Sequence, residues 1–311
     1  MNRDEPAYIK TRSVGLLAKK IERAYKALAH CELCPRKCGV NRLAGEYGFC
    51  NTGERAVVSS FNAHFGEETP LVGNHGSGTI FFTHCNLLCL FCQNFEISHF
   101  GHGNPVSCDR LAEMMMSLQN SGCLNINFVT PSHVVPQMLS ALDIAIDKGL
   151  KIPLVFNSGG YDSVPTLKML DGIVDIYMPD MKFMNPDTAE RLCQTRDYPM
   201  ILRKAVLEMH RQVGDLIIDD TGLARRGLLV RHLVLPEGLA DTHKIMTFIA
   251  NKVSVDTYVN IMPQYRPCGR AHEIRGLNRS LSNKEYVTSL KQAEDAGIRR
   301  LDQRRRAFII R

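Results

Sequence analysis

The sequence predicts an α/β fold in which strands and helices alternate. Short runs rich in β-branched and aromatic residues lie at 79–83, 124–129, 152–156, 174–178, 228–235 and 255–262. Stretches with apolar residues at helical spacing separate them, at 107–118, 134–147, 164–170, 186–213 and 243–251. Strands joined through helices predict parallel pairing with right-handed crossovers. This pattern allows an incomplete barrel or a doubly wound open sheet, and both place their chemistry at the carboxyl ends of the strands.

Local signals mark the ends of the helices. Ser107 is placed to cap the helix at 107–118, and Ser282 to cap a final helix at 284–296. An amphipathic helix is expected at 16–28, and the stretch from about 55 to 75 reads as irregular and polar. We therefore divide the chain into a helix and cysteine-rich extension at 1–75, a partial barrel or sheet at 76–265, and a helix with a basic tail at 266–311.

The composition is that of an ordinary globular enzyme. The 311 residues are 44% hydrophobic and 23% charged, with a formal net charge of +6. The sequence shows no apolar signal segment and no run near the ~18–20 apolar residues of a membrane span, so we expect a cytoplasmic protein. The basic excess collects near the end of the chain, which is typical of a solvated tail or of a surface for nucleic acid or an acidic partner. Its members are Arg299, Arg300, Arg304, Arg305 and Arg306.

Cysteine usage is the most informative feature of the composition. Eleven cysteines, an odd number without an export signal, argue against a disulfide framework and for a reducing compartment. Seven of them form two groups, Cys31, Cys34, Cys38 and Cys50, then Cys85, Cys89 and Cys92. Of the rest, Cys108, Cys123 and Cys193 are predicted to be small buried hydrophobes, while Cys268 follows the last predicted strand and is a candidate to face the active site.

The second group, Cys85, Cys89 and Cys92, carries the strongest chemical signal. Three thiolates on one short loop can hold three irons of a [4Fe–4S] cluster and leave the fourth iron open to substrate. Apolar neighbours would limit the access of water, namely Leu87, Leu88, Leu90 and Phe91. The alternative is a structural zinc site completed by a nearby histidine, one of His84, His99 and His102.

The Cys-x3-Cys-x-Phe-Cys loop after a short strand resembles the signature of radical S-adenosylmethionine (SAM) enzymes. The likeness extends over about residues 31–305 to the pyruvate formate-lyase activating enzyme group, in particular its PflX-like branch. It includes Cys-x2-Cys-Pro-Arg-x-Cys-x-Val-Asn-Arg from residue 31, HFGEE at 64–68, NFVTPSH at 127–133, YMPDMK at 177–182 and VRHLVLP at 230–236. The resemblance implies a partial (β/α)6 TIM-like barrel in which SAM chelates the open iron.

The same resemblance implies an activity and partners. One electron from a flavodoxin or ferredoxin would split SAM to methionine and a 5′-deoxyadenosyl radical, which removes a hydrogen atom from substrate. In this group the substrate is typically a partner protein that receives a glycyl radical. The protein would position the cofactor and keep water and oxygen out.

Candidate cofactor-binding residues follow from the resemblance and from polar residues placed after strands. Lys182 and Arg231 are expected to pair with the SAM carboxylate, and Asp180 to orient Lys182 or help bind a monovalent cation. Asn157 and Ser158 precede a glycine pair that would let the backbone approach the ribose. Further candidates are Phe91, Asn94, Thr130, His133 and Gln264.

One part of the sequence departs from the activating enzymes. These generally carry Gly-Gly-Glu after the second strand, where the acid holds the amino group of SAM. Here residues 130–133 read Thr-Pro-Ser-His, in which Thr130 and His133 can supply hydrogen bonds but no residue supplies the acid.

The first group, Cys31, Cys34, Cys38 and Cys50, offers a closed set of four thiolates. It suits structural zinc, a second four-cysteine cluster, or no metal at all. Two classes of function follow for the whole chain: a radical SAM enzyme acting on a protein, on RNA or on a small molecule, or a zinc-stapled RNA-binding protein. The sequence has no Trp and only 7% aromatic residues, which disfavours RNA recognition by base stacking.

Overall fold

The computed structural model describes residues 5–302 and contains a ten-stranded, mainly parallel sheet. The strand order is β10-β9-β8-β6-β5-β4-β2-β1-β3, and β7 pairs with β8 outside this path. The strands are β1 Ala56–His64, β2 Ser77–Phe82, β3 Asn104–Val106, β4 Ile126–Val129, β5 Leu154–Ser158, β6 Ile176–Pro179, β7 Ile217–Ile218, β8 Ala224–Leu233, β9 Tyr258–Met262 and β10 Arg300–Leu301.

Helices precede the sheet and also connect its successive strands. They are α1 Ala7–Ser13, α2 Leu16–Lys26, α3 Thr69–Val72, α4 Phe95–His99, α5 Cys108–Asn120, α6 Val135–Asp147, α7 Val164–Met169, α8 Pro186–Cys193, α9 Tyr198–Val213, α10 Thr242–Phe248 and α11 Asn283–Asp295. Ser107 and Ser282 cap α5 and α11 as predicted, and Ser282 forms a reciprocal capping box with Glu285. Among the described residues, no helix combines the length and the apolar character that crossing a membrane requires.

Six parallel strands, β2, β4, β5, β6, β8 and β9, form the predicted partial barrel. The sheet curls enough that Glu67 reaches Asn127 on β4 while the adjacent Glu68 reaches Asn260 on β9. The segment between β1 and β2 fills the barrel floor. There Leu71 packs with inward-facing residues of three strands, Val155, Ile176, Met178 and Leu229. These contacts distinguish a partial barrel from an open doubly wound sheet.

Two sequence expectations were wrong in detail. The stretch at 55–75 is not irregular throughout, because β1 adds an antiparallel strand beside β2. The helix predicted at 186–213 is two helices, since Gln194 adopts a left-handed conformation and ends α8. The amphipathic helix expected at 16–28 is present as α2, and Gly15, with φ 73°, separates it from the additional helix α1.

The scattered cysteines are placed largely as predicted. Cys123 and Cys193 are buried, whereas Cys108 is only half-buried, with its sulfur 3.2 Å from the hydroxyl of Tyr25. In the basic tail Arg304, Arg305 and Arg306 lie outside the described residues.

Histidine 232 makes the stability of this fold depend on pH. Its ring is fully buried between the carbonyl of Met181 and the hydroxyl of Thr242, and burial lowers its pKa from 6.5 to about 4. In this pH range the unfolded chain therefore binds a proton at His232 that the folded chain does not bind. As a result, the free energy of unfolding decreases as the pH falls from about 6.5 towards 4.

We predict that His232→Gln flattens this pH dependence. The lowering of the His232 pKa from 6.5 to about 4 corresponds to a loss of at most about 3 kcal/mol in the free energy of unfolding at acidic pH. The variant should not show this loss. Urea unfolding at pH 7, 6 and 5 measures the effect, with the exposed His243→Gln as control. An unchanged pH slope in the His232 variant would contradict this role.

Candidate active site

Cys85, Cys89 and Cys92 lie on one loop, residues 83–94, at the carboxyl end of β2; we call it the cysteine loop. Burial raises the pKa of the Cys85 thiol to about 12 and also raises that of Cys92. The pKa of Cys89 is raised chiefly by its hydrogen bond with Cys193 and then by burial. The three thiols are thus neutral at pH 7, and a metal that binds them must displace their protons.

Each of these sulfurs accepts a hydrogen bond from a neighbouring group. The backbone N–H of Leu87 donates to Cys85 Sγ at 3.3 Å, and the hydroxyl of Ser98 donates to Cys92 Sγ at 3.3 Å. Cys193, at the end of α8, donates to Cys89 Sγ at 3.1 Å. No sequence pattern indicates this last contact, because Cys193 is an isolated cysteine 104 residues away from Cys89.

The backbone of the cysteine loop is anchored from several sides. His84 N–H donates to Ile97 O at 2.8 Å, and Leu90 N–H donates to Leu192 O at 2.9 Å. Leu90 O accepts from Arg270 N–H at 2.7 Å, which brings the segment containing Cys268 against the loop. Such anchoring fixes the positions of the thiols before any ligand binds.

Strained backbone concentrates at this end of the barrel. His84, Leu88 and Thr130 have φ of 62°, 51° and 60°. These values lie in the left-handed region of backbone conformation, which residues other than glycine rarely adopt. Gly159 faces Leu87 so closely that a Cβ there would lie 2.6 Å from a Leu87 methyl carbon. Gly159 therefore makes room for the cysteine loop, a role not foreseen from the sequence.

Arg36, between Cys34 and Cys38 of the first group, joins the two cysteine groups. Its guanidinium donates to Asn86 O in the cysteine loop at 2.9 Å, to Cys193 O at 3.0 Å and to Gln194 O at 2.7 Å. It also lies 3.7 Å from the ring centroid of Phe49. Arg36 thus orients both the cysteine loop and the helix that carries Cys193.

Asp180, Lys182 and Arg231 form a charged network above the barrel centre, in which each side chain is only 15–18% exposed. Asp180 accepts from Lys182 Nζ at 2.7 Å and from Arg231 Nε at 2.8 Å. Burial alone would raise the pKa of Asp180, but Arg231 and then Lys182 outweigh it, and the pKa is lowered. Burial likewise disfavours the charge of Lys182, yet Asp180 and the nearby Cys89 raise its pKa. The network therefore stays ionised beside the thiols, with two cations around one carboxylate.

Two acids missed as site residues approach this network from below. Glu67 and Glu68 rise from the barrel floor to 3.7 and 3.9 Å from Arg231 Nη1. Burial raises the pKa of Glu67, partly offset by Arg231. Glu68 Oε2 is buried and makes no hydrogen bond within residues 5–302. The motif at 64–68 was recognised in the sequence, but no local pattern shows that a loop before β2 reaches the barrel interior.

The remaining predicted residues are dispersed. Asn157 joins the network, since its Oδ1 accepts from Arg231 Nη2 at 2.7 Å. Ser158 instead donates to Asp162, and Phe91 packs against Phe183 with ring centroids 5.9 Å apart. The structure does not bring the other candidates into this network: Asn94 and Gln264 are exposed, Thr130 follows β4, and His133 lies beside the first cysteine group.

Cys31, Cys34, Cys38 and Cys50 line one small cavity together with Arg42 and His133. Within residues 5–302, no three His, Cys, Asp or Glu side chains are already positioned to coordinate a metal ion. In both cysteine groups a metal would therefore have to draw its thiols together. The donor chemistry suits thiophilic metals in both places.

Comparisons with known proteins give one extensive relative. A protein of Methanocaldococcus jannaschii described as uncharacterized protein MJ0674 is 34% identical over 288 residues, which cover 90% of this chain and 79% of that protein. No protein-family model matches the chain.

Two solved structures are distantly similar. Native anSMEcpe with bound AdoMet shows 15% identity and a TM-score of 0.47, covering 68% of this chain and 57% of that one. HydG, a maturase of the [FeFe]-hydrogenase, shows 13% identity and a TM-score of 0.47, covering 69% and 49%. The chain thus spans about half the length of these proteins, and likeness at this level assigns no activity.

We predict that Arg36→Lys destabilises the protein by about 1–3 kcal/mol, because one ammonium cannot replace three guanidinium bonds to separate carbonyls. Urea unfolding measures the loss. Arg110→Lys, which alters only an exposed pair with Glu113, is the control and should stay within about 0.5 kcal/mol of the unsubstituted protein. Equal effects of the two substitutions would show that Arg36 does not hold the cysteine loop.

Proposed function

We propose that this chain, which belongs to the same family as the uncharacterized protein MJ0674 of Methanocaldococcus jannaschii, is a radical SAM enzyme. One observation carries the proposal: three thiols of one anchored loop, Cys89 buried and Cys85 and Cys92 half-buried, lie beside the Asp180–Lys182–Arg231 network at the carboxyl ends of parallel strands. Enzymes with this architecture place their chemistry at that end.

The residues of the cysteine loop fit a [4Fe–4S] cluster with one open iron. Cys85, Cys89 and Cys92 supply three thiolate ligands, and Leu87 and Phe91 bury the loop away from water. When bound, the cluster and SAM supply a radical that removes a hydrogen atom from the substrate. The thiols, the anchored backbone and the apolar surroundings hold this chemistry in place and keep out water.

The charged network fits the polar end of SAM. Lys182 and Arg231 offer two cations to its carboxylate, while Asp180 keeps both side chains oriented. Glu67 and Glu68 place acidic groups close to Arg231, so acid is available in the barrel although residues 130–133 lack it. A monovalent cation at Asp180 stays a prediction. Both carboxylate oxygens of Asp180 already accept hydrogen bonds, one from Lys182 and one from Arg231.

For the substrate we favour a partner protein that receives a glycyl radical, with reducing equivalents from a flavodoxin or ferredoxin. Within residues 5–302 the sheet runs from β10 to β3 without closing, which leaves a lateral opening for a polypeptide loop. A glycyl radical signal on a partner mixed with the reduced enzyme would identify it. Modification of a small molecule is the alternative that this opening favours less.

Modification of RNA, or RNA binding by a zinc-stapled protein, has weaker support. Of the basic residues near the end of the chain, Arg299 lies 3.6 Å from Asp256. Arg300 donates to Leu216 O at 2.7 Å and lies over the ring of Tyr258. Arg300 is therefore engaged within the protein, whereas the side chain of Arg299 is exposed and, among residues 5–302, forms only this surface ion pair.

The first test of the function removes one thiol ligand. Because Cys193 is close enough to replace Cys89 as a ligand, we predict that Cys89→Ala in a Cys193→Ala background abolishes both iron binding and reduction-dependent SAM cleavage. Anaerobic reconstitution, iron and sulfide analysis, and chromatography of 5′-deoxyadenosine measure this. Cys108→Ala is the control and should keep both properties. SAM cleavage by the double variant would show that the ligands are assigned wrongly.

The second test concerns Cys193 alone. A donor to a ligand sulfur stabilises the reduced, more negative cluster, so Cys193→Ala should lower the reduction potential while leaving iron content unchanged. Cys193→Ser keeps a donor and should restore most of the potential. Potentiometric titration followed by electron paramagnetic resonance measures both. Identical reduction potentials in all three proteins would show that the hydrogen bond from Cys193 to Cys89 does not act on the cluster.

A further inference from the structure

The first cysteine group surrounds a cavity of about 10 Å³. Cys31, Cys34 and Cys50 are buried and Cys38 is half-buried, and all four line this cavity. One wall is formed by the loop 31–40, which two backbone hydrogen bonds close: Cys31 N–H donates to Val40 O at 2.9 Å, and Gly39 N–H donates to Cys31 O at 3.0 Å. Phe49 N–H donates to Cys38 Sγ at 3.3 Å, as backbone amides do to metal-bound thiolates.

A buried positive charge on the same wall lacks a counter-charge. Arg42 is only 1% exposed, and its guanidinium donates to two backbone carbonyls, Gly53 O and His133 O, at 2.7–3.0 Å. The remaining contact is Cys31 Sγ at 4.0 Å. Across residues 5–302 no carboxylate forms an ion pair with it, although a buried, uncompensated charge costs several kcal/mol.

A metal–thiolate centre supplies the missing charge. Four thiols are neutral, whereas a divalent ion bound by four thiolates carries a net charge of about −2, and binding releases the four protons to solvent. Arg42 then lies beside an anion. Four cysteines around one small cavity also match the complete ligand set of a tetrahedral structural zinc ion.

We propose that Cys31, Cys34, Cys38 and Cys50 bind one tetrahedral zinc ion, with Arg42 as its buried counter-charge. The site is separate from the cysteine loop and does not depend on the radical chemistry. It is linked to that loop through Arg36 and through His133, whose Nε2–H donates to Thr83 O at 3.0 Å, two residues before Cys85.

Metal analysis of full-length variants tests the site independently of the proposed function. The Cys85→Ala/Cys89→Ala/Cys92→Ala variant, purified and reconstituted anaerobically with iron, sulfide and zinc, should retain one zinc and bind no iron. Zinc replaced by cobalt in the same variant should give the absorption of tetrahedral thiolate-bound cobalt. About four irons and four sulfides in this variant would overturn the proposal in favour of a second cluster, and reduced thiols with no metal would overturn it outright.

Arg42→Met tests the counter-charge on a folded protein. Competition with a chromophoric chelator should show zinc affinity weakened by at least about tenfold, with Arg23→Met as the control of unchanged affinity. An unchanged affinity in the Arg42 variant would remove the electrostatic basis of the proposal. Zinc retained in a chain that fails to bind iron at all would support this site while sinking the radical SAM function.

Discussion

The carboxylate of Asp180 holds the interior of the barrel together. It joins Lys182, which follows β6, to Arg231 on β8, and Arg231 reaches onward to Asn157 on β5. Charges that are mostly withdrawn from solvent are tolerated only when they are paired, so the three strands must keep their relative positions. Successive side chains of a strand point to opposite faces of the sheet. Arg231 of β8 therefore faces the site, and the adjacent His232 points outwards and packs against α10. Fold and chemistry thus depend on the same few atoms.

The two cysteine groups act as one structural unit. Arg36 extends from the first group to the carbonyls of Asn86 and Cys193, and His133 extends from the wall of the first cavity to Thr83. A metal in the N-terminal group would therefore fix the loop that presents Cys85, Cys89 and Cys92. This connection explains why a cysteine-rich extension precedes a barrel whose own loop already holds three thiols.

The sequence predicted the alternating elements, the parallel sheet and the placement of Lys182, Asp180 and Arg231, because each depends on local pattern or on position after a strand. It did not predict Glu67, Glu68 or Cys193 as parts of the site. These residues approach through tertiary contacts that span 60 to 192 residues, from the floor segment and the end of α8, and no periodicity records such contacts. β1 was missed for a related reason: it lies near the edge of the sheet, between β2 and the three-residue β3, and its residues from Ser59 onwards are half-buried or exposed, so its sequence resembles an irregular polar stretch.

The claim that one iron is open to SAM is tested most directly by electron paramagnetic resonance of the reduced, reconstituted protein with and without SAM. The account predicts that saturating SAM changes the spectrum of the cluster, in the unsubstituted protein and in Cys193→Ala alike. A spectrum that SAM leaves unchanged in both proteins would mean that no iron is available to it, and the proposed chemistry would be contradicted.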